Sequence, residues 1–174
     1  MSPDPISVSF LATLVALLIM LGESLVSRAN ERRLRAMGAG EPPGDVYSLM
    51  AWTYPLAFVA MGVEGAIWGP DPGPITLAGC AIFLAAKALK FWAIASLGTR
   101  WTFRVLVLPD APLITRGPYA WVRHPNYVGV IGEFAGFALL VGAPVAGMLA
   151  AAGFGVLLWR RIAVEERALG LRQG

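Results

Sequence analysis

The residues best suited to chemistry lie late in the chain. Ala111 to Tyr127 reads APLITRGPYAWVRHPNY and holds the single histidine, His124, together with Tyr119, Trp121 and Tyr127. Pro109, Pro112, Gly117, Pro118 and Pro125 interrupt any continuous helix here, so irregular backbone is predicted. Its free N–H and C=O groups, beside aromatic rings with polar tips, can read a polar ligand, and a concave site bounded by such a loop suits a nucleotide-like cofactor. The second element is WRRIAVEERAL, Trp159 to Leu169. Arg161 and Glu165 are four residues apart and share a helical face. They read either as a pair facing one site or as a solvated helical salt bridge of little worth. Glu165 and Glu166 point in different directions, so at most one is expected to face a shared site. The aromatic residues equally suit an interfacial belt, and His124 alone suits a structural hydrogen-bonding role. Cys80, the single cysteine, has no partner for an intramolecular disulfide, and no Cys/His cluster is available to hold zinc.

The elements that must position these residues are membrane spans. Of the 174 residues 57% are hydrophobic and 14% charged, and the mean hydropathy is +0.65. Soluble domains carry about one-quarter charged residues, and a disordered chain would expose far less apolar surface. Residues 6–26 are long enough to cross a hydrocarbon layer of ~30 Å. With the basic cluster following rather than preceding it, this stretch is not expected to be a cleaved signal peptide. Further spans are predicted over 46–68, 75–97, 127–141 and 145–159, the last two joined by Gly142-Ala143-Pro144 as a helical hairpin. The fold class is therefore an all-α integral membrane protein of about five transmembrane helices, forming one domain over 1–174, with a cytoplasmic cofactor loop.

The charge pattern orients it. Net charge is +3, and of the 14 basic residues all but Lys87 and Lys90 fall on one side. Arg28, Arg32, Arg33 and Arg35 lie in the expected first loop, Arg100, Arg104, Arg116 and Arg123 in the third, and Arg160, Arg161, Arg167 and Arg172 at the end. The positive-inside rule places the N-terminus outside and the loops with the C-terminus in the cytoplasm. A nucleic-acid partner is then not needed to account for the basic balance. Lys87 and Lys90 fall inside the third span, where charges are expensive and face protein or a cavity. Lys90 is expected to pair with Glu133 at similar depth, snorkelling being the alternative for it and the better expectation for Lys87, and Glu23 and Glu64 to be solvated at span ends.

Gly117-Pro118-Tyr119, Arg123-His124-Pro125-Asn126-Tyr127-Val128-Gly129 and Glu165-Glu166-Arg167-Ala168-Leu169 together resemble the isoprenylcysteine carboxyl methyltransferase family of integral membrane methyltransferases. The resemblance is densest over about Leu89 to Leu169. Ser96-Leu97-Gly98, Arg104-Val105-Leu106-Val107 and the early Asn30-Glu31-Arg32 look like a bacterial branch that O-methylates alkylpyrones and phenolic lipids. RHPxYxG with a downstream EExxL is a fairly specific pair, whereas RHPNY alone also resembles membrane sterol reductases that use NADPH.

The resemblance implies S-adenosyl-L-methionine as cofactor, an inner-membrane location and a lipophilic, membrane-partitioned acceptor. It places cofactor contacts on Pro112, Leu113, Ile114, Tyr119, His124, Pro125, Asn126, Tyr127 and Glu165, within about 104–129 and 160–169, and the substrate-orienting arginine on Arg161. Ala111 stands where the eukaryotic enzymes have histidine, and Lys90 where the lipid branch more often has arginine. The acceptor implied is thus a carboxylate, enol or phenol on a long tail rather than specifically a prenylcysteine. Two other classes are weighed: an NADPH-dependent reductase and a non-catalytic membrane scaffold. Oligomeric state has no signature in the sequence.

Overall fold

The computed structural model describes residues 4–70, 73–109 and 111–171. These form helices α1 (Pro5–Ala36), α2 (Tyr47–Trp68), α3 (Pro74–Leu97), α4 (Pro125–Val141) and α5 (Pro144–Ala168), with short 3-10 turns at Gly98–Arg100 and Gly117–Ala120. Among the described residues the only β pairing is one bridge between Gly40 and Val107. The all-α expectation holds. Helices α1, α2, α3 and α5 are long and apolar enough to cross a membrane, whereas α4 has 17 residues and spans about 25 Å.

Two helices outrun their predicted spans. Helix α5 continues to Ala168, which carries the WRRIAVEERAL face as ordered helix. Helix α1 continues to Ala36, so Arg28, Arg32, Arg33 and Arg35 stand on a helical extension and not in a loop. The reason is local: ANERRLRA is rich in helix formers, and the first breaker is Gly38. Arg172 lies outside the described residues.

Helix α4 packs along α3 through small residues. A Cβ on Gly136 would lie 2.4 Å from the Phe83 nitrogen, one on Gly132 2.9 Å from the Ala86 Cβ, and one on Gly79 2.5 Å from the Leu140 nitrogen. Small side chains let the backbones approach this closely, which is how membrane helices gain packing without a hydrophobic drive between them. The predicted hairpin is present. Gly142 adopts φ +72° to reverse the chain, and a Cβ there would meet the Gly69 carbonyl at 2.7 Å. The interior is aromatic, with Phe58 and Phe137 rings 4.8 Å apart and Phe134 fully buried beside them.

Inside this apolar interior sit four charges. Lys87 Nζ lies 3.2 Å from Glu23 and 3.1 Å from Glu133, and Lys90 Nζ lies 2.7 Å from Glu23 and 3.5 Å from Glu133. The Tyr54 hydroxyl donates to Glu133 and accepts from Lys90 at 3.3 Å. Lys90 and Glu133 thus pair as expected, but two expectations are corrected. Lys87 does not snorkel, and Glu23 is not solvated at a span end; both are about 5% exposed or less. Two ammonium groups one turn apart on α3 need two carboxylates for neutrality, and α1 supplies the second. Glu64, half-buried near the end of α2, has a further role. Its carboxylate accepts from the Val145 and Ala146 N–H groups at 3.0 and 2.6 Å, satisfying the first turn of α5.

Removing one member of the cluster leaves an uncompensated buried charge. Glu133→Leu is expected to destabilise the fold by about 3–5 kcal/mol, read from reversible denaturation in mixed detergent micelles. A charge-balanced Lys87→Met, Glu133→Gln pair should be less damaging than the sum of its single changes; strict additivity would show that the four groups do not act together.

Candidate functional site

The loop that carries the histidine is stapled to the end of α3. Gly117 turns the chain at φ +63°, so close that a Cβ there would fall 2.1 Å from the Ser96 hydroxyl. Arg116 donates to the Ser96 carbonyl at 3.1 Å, and Arg100 to the Pro112 carbonyl at 2.5 Å. Pro125 then opens α4 with a φ already suited to the first helical position, leaving His124 as its cap and Tyr127 on the first turn. The loop and the last helix, far apart in sequence, thereby face one another.

Between them lies a cavity of about 740 Å³. Its walls include Pro112, Leu113, Ile114, Tyr119, His124, Asn126, Tyr127, Arg161 and Glu165. Of the residues that the resemblance assigns to cofactor or acceptor, all but the buried Pro125 line this cavity, whereas Trp121 and Glu166 do not. Leu17, Met20 and Leu21 of α1 and Met50, Ala51, Trp52 and Pro55 of α2 complete the wall. Leu21 is 56% and Trp52 74% exposed, so the cavity wall runs into the apolar surface that these helices present outward. Pro55, within α2, has no N–H to donate to the Ala51 carbonyl, so the regular helical bond is missing at the wall.

Tyr127 is the junction of the polar residues. Its hydroxyl accepts from Arg161 Nε at 2.9 Å and donates to Glu165 at 2.6 Å. The Arg161 Nη1 donates to Asp45 at 3.0 Å. Arg161 and Glu165 therefore make no direct helical salt bridge: each is held through Tyr127, and the charge of Arg161 is met by Asp45. His124 stacks on the Tyr127 ring at 5.3 Å and 14°. Its Nε2 lies 3.3 Å from Glu166 and its Nδ1 3.8 Å from Glu165. Both carboxylates thus flank the imidazole, but only Glu165 lines the cavity, as expected of adjacent residues on one helix.

A roof from the α1–α2 connection closes over the loop after α3. Gly40 and Val107 exchange backbone hydrogen bonds at 3.0 and 2.9 Å. Glu41 bridges Arg35 at 2.6 Å and Arg104 at 2.7 Å. Partial burial works against its charge, yet hydrogen bonds from Arg35 and Arg104 hold the Glu41 carboxyl below its ordinary range. Asp45 accepts from the Val105 N–H at 2.9 Å as well as from Arg161. Asn30 donates to the Trp101 carbonyl at 2.8 Å, tying the α1 extension to the same loop.

Among the polar residues at or behind the cavity that the sequence reasoning missed are Tyr54, which lines it, and Asp45, which holds Arg161 from behind. Asp45 sits in a Gly/Pro-rich connection without a motif; the signal was the need of a buried arginine for a counter-charge. Tyr54 lies within an apolar span with nothing to mark its hydroxyl.

The fold and the site define a class: an integral membrane protein whose apolar bundle opens at one end into a cavity lined by a histidine–proline loop and a Glu-Glu helix. Residues 78–170 match the isoprenylcysteine carboxyl methyltransferase (ICMT) family. The chain belongs to that family, whose members are membrane methyltransferases. It is 34% identical over 158 residues to YpbQ, an uncharacterized protein of Bacillus subtilis, covering 90% of this chain and 94% of that one. It is also 26% identical over 145 residues to an uncharacterized protein of Haemophilus influenzae, covering 83% and 84% respectively. No solved structure gives a significant match.

Burial first, and the Glu165 carboxylate second, hold the Tyr119 phenol above its ordinary value near 10. The phenol is then a neutral donor throughout the physiological range. In an alkaline absorbance titration of the folded protein, Tyr119→Phe should leave the rise near pH 10 unchanged. Because the folded state keeps this proton longer than the unfolded state, stability should also fall as pH climbs past that value. A smaller absorbance step near pH 10 in the variant would contradict the assignment.

Proposed function

We propose that the protein is an S-adenosyl-L-methionine-dependent O-methyltransferase acting on a lipophilic acceptor from within the membrane. The observation that carries this reading is the convergence of the histidine–proline loop and the Glu-Glu helix on one cavity, joined through the Tyr127 hydroxyl. The residues present fit the cofactor. The Asn126 Oδ1 is buried without a hydrogen-bond partner, an acceptor waiting for an amino group. The Leu113 and Ile114 N–H groups make no hydrogen bond among the described residues, Tyr119 offers an aromatic face, and Glu165 offers a carboxylate for a hydroxyl or ammonium. Pro112, Leu113, Ile114, Tyr119, His124, Asn126, Tyr127 and Glu165 would hold the cofactor, with Pro125 setting the loop.

When bound, the cofactor supplies an electrophilic methyl group on sulfur. The protein's own task is alignment and exclusion of water, since attack by an anionic oxygen neutralises charge as the new C–O bond forms and the C–S bond breaks. Arg161 keeps its Nη2 group free of hydrogen bonds among the described residues and would hold an acceptor oxygen. A carboxylate or acidic enol arrives deprotonated. A phenol would pass its proton to Glu165, Glu166 or His124, whose mutual distances allow the proton to be shared. The hydrocarbon tail would lie along the wall from α1 and α2 and leave toward the bilayer beside Leu21 and Trp52. By the positive-inside rule, the arginines on the α1 extension and on the third loop favour a cytoplasmic position for this end, and the likeness to bacterial relatives favours an inner membrane.

The test uses the protein in lipid vesicles with methyl-labelled cofactor and long-chain acids, enols and phenols. Arg161→Ala should reduce methyl transfer by about 100-fold while S-adenosylhomocysteine affinity changes little. Equal loss of both would remove Arg161 from the acceptor side. Glu165→Ala should weaken S-adenosylhomocysteine binding by roughly 10-fold or more, as expected for losing a charged hydrogen bond; unchanged affinity would take Glu165 out of the cofactor site.

A further inference from the structure

We infer that Asp45 is a positioning residue: it sets the guanidinium of Arg161 and makes closure of the α1–α2 roof a condition for an active site. Asp45 lies outside the residues that match the family, and the inference rests on the reading of Arg161 as the group that holds the acceptor oxygen.

The geometry is that of a clamp. Asp45 Oδ1 accepts from Arg161 Nη1 at 3.0 Å and from the Tyr47 N–H at 3.1 Å, and Oδ2 accepts from the Val105 N–H at 2.9 Å. Its side chain is 3% and that of Arg161 7% exposed. One carboxylate therefore joins three stretches of chain: the start of α2, the loop after α3, and α5. A buried guanidinium without a counter-charge is strongly unfavourable, and the other carboxylates near it, Glu165 and Glu166, are directed to Tyr127 and His124 instead.

The two bonds on Arg161 leave it little freedom. Nε is fixed by Tyr127 and Nη1 by Asp45, and a planar guanidinium held at two points has its third corner aimed in one direction. That corner, Nη2, is the one left for a ligand at the cavity wall. Losing Asp45 releases the plane to turn about the Nε–Tyr127 bond, without removing any group from the loop that would hold the cofactor. The same loss unfastens the Val105 end of the roof, whose other attachments are the Gly40–Val107 bridge and the Glu41–Arg104 ion pair. Hydrogen bonds to a carboxylate are worth more than neutral ones, so asparagine is a poor substitute: its amide has one acceptor where Asp45 uses two.

The experiment reads Arg161 directly. In detergent micelles with labelled arginine, the Arg161 side-chain signals are identified by their absence in Arg161→Lys. The native protein should show separate Nη1 and Nη2 signals, because hydrogen bonding slows rotation about the Cζ–Nη bonds. In Asp45→Ala that rotation should accelerate by about 10-fold or more, with helical content and S-adenosylhomocysteine affinity preserved; Asp45→Asn, the milder change should Asp45→Ala fail to fold, should shift it in the same direction. Rotation as slow in both folded variants as in the native protein would overturn the inference. A second arm measures methyl transfer in vesicles. Asp45→Ala should lower kcat, and should add no further loss to Arg161→Ala, whereas an additive loss would assign Asp45 a role separate from Arg161. If the native protein methylates no acceptor, the reading of the reaction fails, and the rotation measurement still decides the clamp.

Discussion

A charge placed in a low-dielectric interior must be neutralised by neighbours of opposite sign, and this chain meets that constraint twice. Within the bundle, Lys87 and Lys90 are balanced by Glu23 and Glu133. At its open end, Arg161 is balanced by Asp45. The first set ties α1, α3 and α4 together at one depth. The second ties α5 to the connection before α2 and to the loop after α3. Alternative packings of five apolar helices are numerous, because lipid tails compete equally for every apolar face. Four mutually satisfied charges are not interchangeable in this way, and they select one arrangement.

The arrangement explains why the site lies where it does. Helices α3 and α4 press together through Gly79, Gly132 and Gly136, which fixes the start of α4 and the loop before it. Tyr127, on the first turn of α4, then meets α5 at Arg161 and Glu165. The opposite wall comes from α1 and α2, which approach closely at the other end, where Gly62 and Gly65 admit Thr13 and Ser9. The remaining space is an apolar trough ending in polar residues. This shape suits a molecule with a long tail and one polar head.

Much of this was legible in the sequence. Apolar runs gave the helices, and the loop motifs gave the residues around the cavity, because prolines and glycines announce irregular backbone and ionisable residues in an apolar chain are few enough to notice. The misreadings share one cause. Position along a span is a poor guide to Glu23 and Lys87, whose roles depend on which helix lies opposite, and nothing local marks Asp45 at all. Glu64 caps a helix that begins about eighty residues later. Arg161 and Glu165 have spacing for a helical ion pair, yet Tyr127 from another helix intercepts both. Sequence spacing reports what one helix can do with itself and is silent about intruders.

Methyl transfer at this cavity requires that it hold S-adenosyl-L-methionine. Calorimetric titration of the native protein in detergent with S-adenosylhomocysteine, and in parallel with NADPH, tests this most directly. The account predicts saturable binding of S-adenosylhomocysteine at one site per chain, with no heat from NADPH. Binding of NADPH alone would turn the assignment to a reductase, and binding of neither by folded protein would contradict a cofactor site altogether.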